Sequence, residues 1–419
     1  MESMPLIIFF TILVFFVLVG IHEWGHYYFA RRAGILVREF AIGFGPKLFS
    51  FRRSETTFTF RLLPIGGFVQ MAGEDHEQID LKLGETIYFS IDQDVVTTIY
   101  NQSPSHSNTI QQGKLLAYDF IDELYLFIQS DEGSQNRYAV AHNAIVINEG
   151  RNVQIAPRNR LFSSKTVGQR ALAIFAGPFM NFLLAFLLFM TVVFLIGVAK
   201  NVKIADVQND SPASIAGLTK GDIVNKINGE MIEDDQFKLS LAISESLNKE
   251  MSWEIERNGK IETIRVTPTM MDGAPRIGII IGSDRRTPSF LESIEGAWDY
   301  TVYVTKLIFD GFKRIILGQF AWDEIGGPVR TVSVTVEAAK AGFSQLVYWA
   351  AILSLYLGIF NLLPIPALDG SRLIFLAIEW VRGKPVEPRK ESFVHFVGFA
   401  MLMGLMVVVT FHDIARFFK

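Results

Sequence analysis

Cysteine is absent from all 419 residues. That excludes disulfides as a source of stability and thiolates from any metal site, so a metal here needs His, Asp or Glu. Charge is also scarce: Asp, Glu, Lys and Arg make up 20% of the chain and the formal net charge is only −4. Nothing in that balance calls for nucleic acid as a partner. Half of the residues are hydrophobic and 36 are Phe, too apolar for an ordinary soluble protein and enough for more than one domain.

Four long stretches lack charge altogether: Pro5 to Ile21, Ala171 to Ala199, Ala341 to Leu368, and Ser392 to Phe411, the last interrupted only by His395. Each reaches or nearly reaches the ~20 residues that cross ~30 Å of hydrocarbon as a helix. The first lacks a basic leader and a small-residue cleavage site and runs into HEWGHYYFARR, so it is expected to stay as a span. Basic residues cluster after the first run (Arg31, Arg32, Arg38, Lys47), before the second (Arg158, Arg160, Lys165, Arg170) and between the third and fourth (Arg382, Lys384, Arg389, Lys390). The positive-inside rule makes those segments cytoplasmic. The expectation is a multi-pass protein of the cell membrane, four helices across the bilayer, with both termini extracytoplasmic.

The rest of the chain divides around these runs. Segment 1–30 is the first transmembrane helix, and 31–75, where aromatic and polar residues alternate with glycines at the turns, reads as membrane-associated β-hairpins. Such hairpins must lie against the helix bundle for their backbone to be satisfied. Segment 76–157 is a polar cytoplasmic insert with β-like runs at 124–128 and 139–147, and 158–200 holds the second transmembrane helix. Segment 201–285 reads as strand, turn, short helix and strand through VKIADVQNDSPASIAGLTKGDIVNKING, then a helix at 235–247 and a hairpin around Asn258-Gly259. Its stretch SPASIAGLTKGDIVNKING resembles an extracytoplasmic α+β PDZ domain of the bacterial envelope type. Such a unit binds chain ends by strand addition or serves as a spacer without a ligand; both readings stand. Amphipathic helices near the outer surface are expected over 286–340, the third transmembrane helix over 341–380, and a cytoplasmic loop with the fourth over 381–419.

Chemistry concentrates in HEWGH. In a helix, His22 and His26 lie one turn apart on one face and can reach one metal ion, while Glu23 can contact a water bound to it. This is the H-E-x-x-H logic of zinc proteases: two ligands, a carboxylate base for a water whose pKa falls towards ~7, and an open position. Five residues can match by chance. Within a span, however, an ionised carboxylate costs ~2.5–3.5 kcal/mol and needs a reason. A proton or ion relay is the rival reason, and two histidines at ligand spacing favour metal. Asp369, the first charge after the third run, supplies a third ligand, beside a helix broken by Pro364 and Pro366. Depth agrees: Leu6 to His22 is ~24 Å of helix, which puts the histidines and Asp369 towards the cytoplasmic side of two parallel spans. Asn361, two turns earlier, holds an extended substrate strand or caps the broken helix; either role suits it.

HEWGH, GFGP at 43–46, LLPIGGFVQMAGE at 62–74, AGPFMNF at 176–182, the PDZ-like unit and NLLPIPALDG at 361–370 together resemble the site-2 protease family of intramembrane metalloproteases. The likeness is to the bacterial members that cleave anti-sigma factors, in their single-PDZ Gram-positive form. The resemblance implies Zn2+ on His22, His26 and Asp369, and Glu23 as the catalytic acid/base. It also implies substrate presentation by the hairpin around Gly66, Gly67, Phe68 and Val69, with Asn361 nearby. The implied substrates are single-span membrane proteins already cut on the outer side, and in some relatives remnant signal peptides. Ser371 departs from the family pattern, which often has a second glycine there. The alternative class is a non-enzymatic transporter or PDZ scaffold. A transporter should show paired broken helices, and the one broken helix has no counterpart in this sequence.

Overall fold

The structure is a computed structural model that describes residues 4–74, 81–103, 110–130, 132–148, 151–232, 236–271, 274–319 and 326–416. The start of the expected insert, 76–80, lies outside them.

The first apolar run continues as a helix through HEWGH, giving α1 (Met4–Arg32). Arg31 and Arg32 in its last turn complement the helix dipole, and Gly34, with φ +74°, takes the left-handed position that ends it. Then come β1 (Val37–Arg53) and β2 (Thr56–Met71). Each is too long for one straight strand and bends at glycines with positive φ, β1 at Gly43 and Gly45 and β2 at Gly66. Phe40 pairs with both Val69 and Phe58, and Phe58 also pairs with Phe51. Two strands therefore lie side by side as four segments, in the order 67–71, 37–42, 56–61 and 47–53. Val19 of α1 packs under this sheet with Phe40, Ile42, Phe58, Phe60 and Val69. The far end leaves Phe44, Leu48, Phe49 and Phe51 exposed.

The insert is more ordered than its β-like runs implied. It contains β3 (Thr86–Asp92), β4 (Val95–Tyr100), β5 (Ile110–Asp119), β6 (Tyr125–Gln129), β7 (Gln135–Asn148) and β8 (Arg151–Gln154). They pair in the order β4-β3-β5-β6-β7-β8, and β4 also pairs with β7 in parallel, closing five strands into a barrel. Ile87, Phe89, Ile99, Leu115 and Leu126 fill it. The barrel is tied to the β1–β2 sheet at the turn between those strands. Glu55 accepts hydrogen bonds from Arg160 (2.8 Å) and Gln154 (2.9 Å), and Arg52 donates to Gln154 (3.0 Å).

Next, α2 (Val167–Ile196) opens with a capping box: the Gln169 N–H donates to the Thr166 hydroxyl and the Thr166 N–H to the Gln169 side chain. Residues 187–302 form a compact unit of their own, the rest of the chain another. The former contains β9 (Val198–Val207), α3 (Pro212–Ile215), β10 (Ile223–Ile227), β11 (Glu230–Met231), α4 (Gln236–Glu245), β12 (Met251–Arg257), β13 (Lys260–Val266), β14 (Thr269–Met271), β15 (Ala274–Arg276) and β16 (Ile279–Arg286). Its sheet runs β13-β12-β10-β9-β16, with β11 on β10, around Leu239, Met251, Trp253 and Ile255. The expected hairpin is present: Arg257 pairs with Lys260 across Asn258 and Gly259, at φ 51° and 75°, the two positive values of a type I′ turn. The expected helix is α4; Asp235 lies outside the described residues. Burial alone would raise the Asp222 carboxyl, but the Arg257 fork and the Thr219 N–H outweigh it and hold it below its ordinary value.

The chain continues with α5 (Phe290–Ile316), α6 (Pro328–Ala341), α7 (Phe343–Asn361), α8 (Asp369–Arg382) and α9 (Pro388–Arg416). Ala338 and Ala339 of α6 are buried with Ile7 of α1 and Leu346 of α7. The stretch 341–380, expected as one transmembrane helix, is two helices. Pro364 and Pro366 cannot donate helical hydrogen bonds, so α7 stops at Asn361 and the chain restarts at Asp369. A largely buried Arg170–Glu379 ion pair (3.0 Å) fastens α8 to the start of α2. Among the described residues, four helices are long and apolar enough to cross a membrane: α1, α2, α7 and α9.

Candidate active site

Helical spacing puts His22, Glu23 and His26 on the buried side of α1, each less than a tenth exposed. Asp369 arrives from the first residue of α8. The His22 and His26 Nε2 atoms are 3.2 Å apart, and the Asp369 Oδ2 lies 3.3 Å from one and 3.4 Å from the other. A tetrahedral centre with ligands at ~2.0–2.1 Å has edges of about 3.3–3.4 Å. These residues therefore fit a zinc ion, and no donor among the described residues hydrogen-bonds that buried Oδ2. Two imidazoles and one carboxylate are also a donor set of catalytic zinc, which keeps its fourth position open.

The supporting residues come from α2, at i, i+4 and i+8 along one face. His26 Nδ1 donates to the Ala173 carbonyl at 2.9 Å, which leaves the Nε2 lone pair for the centre. Gly177 makes room for that ring: a Cβ there would lie 2.2 Å from His26 Nε2. The Asn181 amide is 3.1 Å from His22 Nδ1. The atom facing the ring is the amide nitrogen, and Oδ1 has no partner among the described residues; turned end for end, the amide would accept Nδ1–H and free the second Nε2. The Ser354 hydroxyl of α7 donates to the backbone carbonyl of Asn181 at 2.9 Å. The AGPFMNF motif thus has a physical reading: it is the wall against which both imidazoles are set. Asn181 carries no role in the sequence reading, although its being the one amide in the uncharged run 171–199 is the available signal.

All nine expected site residues line one cleft of about 640 Å³: His22, Glu23, His26, Gly66, Gly67, Phe68, Val69, Asn361 and Asp369. Segment 67–71 forms one wall. Its one side pairs with 37–42, and its other pairs with no strand among the described residues. It passes close over the carboxylate: a Cβ on Gly67 would lie 2.8 Å from Glu23 Cγ and 3.1 Å from Oε1. Glu74 and Arg372, also on the cleft, form an ion pair between the end of β2 and the first turn of α8. They too went unassigned in the sequence reading, since only the fold brings residues so far apart in the chain together. Ser371 donates its hydroxyl to the Leu368 carbonyl at 2.7 Å, so the residue that departs from the family pattern is accommodated within its own turn.

The profile of Peptidase family M50 matches residues 10–405. The chain belongs to peptidase family M50. It is similar to the zinc metalloprotease RasP of Geobacillus kaustophilus, 44% identical with 97% of each chain covered. It is also similar to the regulator of sigma-W protease RasP of Bacillus subtilis, 42% identical over 97% of this chain and 98% of the relative. The probable protease eep of Enterococcus faecalis is 38% identical over the same shares. Among solved structures, the PDZ domain of an SdrC-like protein from Listeria monocytogenes covers 20% of this chain and 87% of its own, at 25% identity and a TM-score of 0.18. This M50 protein is an intramembrane zinc metalloprotease of regulated intramembrane proteolysis, which sets aside the transporter and scaffold alternatives.

Proposed function

We propose that His22, His26 and Asp369 hold the zinc and that Glu23 moves the protons of peptide hydrolysis. The carrying observation is the triangle of 3.2, 3.3 and 3.4 Å between three ligand atoms, with Glu23 beside it under the strand at Gly67. Bound zinc supplies Lewis-acid polarisation of the scissile carbonyl and activation of a water. Glu23 would take up a proton from the attacking water and pass it to the leaving amine. A helical substrate must unwind first, because its carbonyls are occupied by its own hydrogen bonds. The side of 67–71 that pairs with no strand among the described residues offers the unwound segment backbone partners by strand addition, with Asn361, which also lines the cleft, contributing an amide.

The substrates are transmembrane segments of single-span proteins shortened by a first extracytoplasmic cut. Anti-sigma factors are the class supported by the name of the Bacillus subtilis relative, and remnant signal peptides are further candidates. The assignment places both termini outside, the cleft towards the cytoplasmic side, and residues 201–285 outside as a PDZ unit that excludes bulky substrates or binds chain ends. The sequence of turns in 208–229 and the strand order of that unit support the PDZ reading.

Glu23→Gln is expected to keep zinc and abolish cleavage, whereas His22→Ala loses zinc, as read by metal analysis and by cleavage of a single-span reporter in proteoliposomes. Cleavage by metal-free protein would overturn the proposal.

A further inference from the structure

The fourth apolar helix gives no side chain to the cleft, yet it grips the loop that delivers Asp369. We propose that His395 of α9 is a positioning residue for the third zinc ligand: its Nδ1 accepts the Ala367 backbone N–H and fixes the turn from which Asp369 projects. This inference rests on the reading of Asp369 as a ligand.

The Ala367 N–H meets His395 Nδ1 at 3.1 Å. Ala367 has φ +76°, a left-handed conformation that alanine does not hold by its own preference. Surrounding structure must hold it. The loop has few donors with which to do so: Pro366 has none, and the Leu368 N–H is used on the Ile365 carbonyl at 3.1 Å. An apolar residue at 395 would leave the Ala367 N–H without this acceptor. With Nδ1 accepting, His395 carries its proton on Nε2, which faces the Glu391 carboxylate at 3.8 Å. The ring also lies 5.6 Å from that of Phe375 on α8, centroid to centroid.

One turn further along α9, Gly398 presses on the same loop. A Cβ there would lie 2.2 Å from Pro366 Cβ and 2.8 Å from its carbonyl. So α9 bonds the loop at Ala367 and abuts it at Pro366, two and three residues before Asp369. Ala367 itself lines the cleft, so the turn sets the wall as well as the ligand. This accounts for the one polar break in the fourth apolar run.

The test uses the full-length protein in detergent and measures zinc affinity by competition with a chromophoric chelator, with folding checked by thermal melting. His395→Leu is expected to weaken zinc binding by at least ~10-fold, the scale of lost support around a metal ligand. His395→Asn, whose amide oxygen can take the place of Nδ1, is expected to stay within about 3-fold of wild type. Gly398→Ala displaces Pro366, whose carbonyl carbon carries the Ala367 nitrogen, so it disturbs the same hydrogen bond from the loop side and is expected to weaken zinc as well. Phe399→Ala, on the exposed face, is expected to change nothing. Wild-type affinity in His395→Leu, or an equal loss in His395→Asn and His395→Leu, overturns the proposal. If His395→Leu does not fold, Gly398→Ala decides, and wild-type affinity there overturns it. Asp369→Ala is the reference: if it keeps zinc, the site reading itself fails, whereas zinc loss there with none in His395→Leu fails this inference alone.

Discussion

Four turn glycines of the unit of residues 187–302 and two glycines beside the buried His and Glu of the cleft are there for opposite reasons. In the smaller unit Gly217, Gly221, Gly229 and Gly259 have positive φ, and nothing lies within 4 Å of where a Cβ would be. They are there for the backbone angle of surface turns. Around the cleft, Gly67 and Gly177 show no such φ, and a Cβ on either would collide with Glu23 or His26. They are there for space. The contrast extends to the cores. The smaller unit closes over Trp253, Met251 and Ile255, whereas the cleft unit buries His22, Glu23, His26 and Asn181. Polar groups so placed are tolerated only where each meets a partner. Tight helix contacts bring those partners within reach.

That difference can be broken or sharpened by substitution. The largest effect is expected for Gly177→Ala. The new methyl cannot coexist with the His26 ring, so zinc affinity should fall by roughly 100-fold or more, read by chelator competition; unaltered affinity would mean that α1 and α2 are free to part. Gly67→Ala comes next. Its methyl meets the Ala41 backbone carbonyl at 2.6 Å and Glu23 at 2.8 Å rather than a zinc ligand, so zinc should be retained while kcat/KM drops by about 10²-fold, the cost of displacing the segment and the reacting group beneath it by ~1 Å. Loss of zinc and activity together would erase the separation drawn between ligand wall and substrate wall. The smallest effect is expected for Gly259→Ala. A left-handed alanine costs about 1–2 kcal/mol, visible as faster amide exchange along 251–266 in the full chain, with cleavage unchanged. A catalytic defect there would show that the two units are coupled.

Much of the cleft was legible in the sequence because its chemistry is local. The i, i+4 histidines and Glu23 lie on one helix, and Asp369 is announced by the end of an apolar run and two prolines. The Asn258-Gly259 hairpin was legible for the same reason. What stayed hidden depends on pairing between distant segments. Nothing near Val95 announces that β4 meets β7 some forty residues later to close the barrel. Nothing in 37–71 announces that two bent strands make four segments. Asn181 and His395 were visible as polar residues in apolar helices, but their meaning needed the neighbour each one touches. The break between α7 and α8 was anticipated at Pro364 and Pro366, yet the span was drawn through it, because hydropathy continues where hydrogen bonding stops.

The side of segment 67–71 that pairs with no strand among the described residues carries a consequence for solubility. On an open sheet, a strand edge with free N–H and C=O groups templates pairing with any passing chain and invites aggregation. Here that edge is recessed in a cleft walled by α1 and the α7–α8 loop. Walls that keep the edge from misassociation also decide how a chain may come to it: by entering the cleft, not by lying against an outer face.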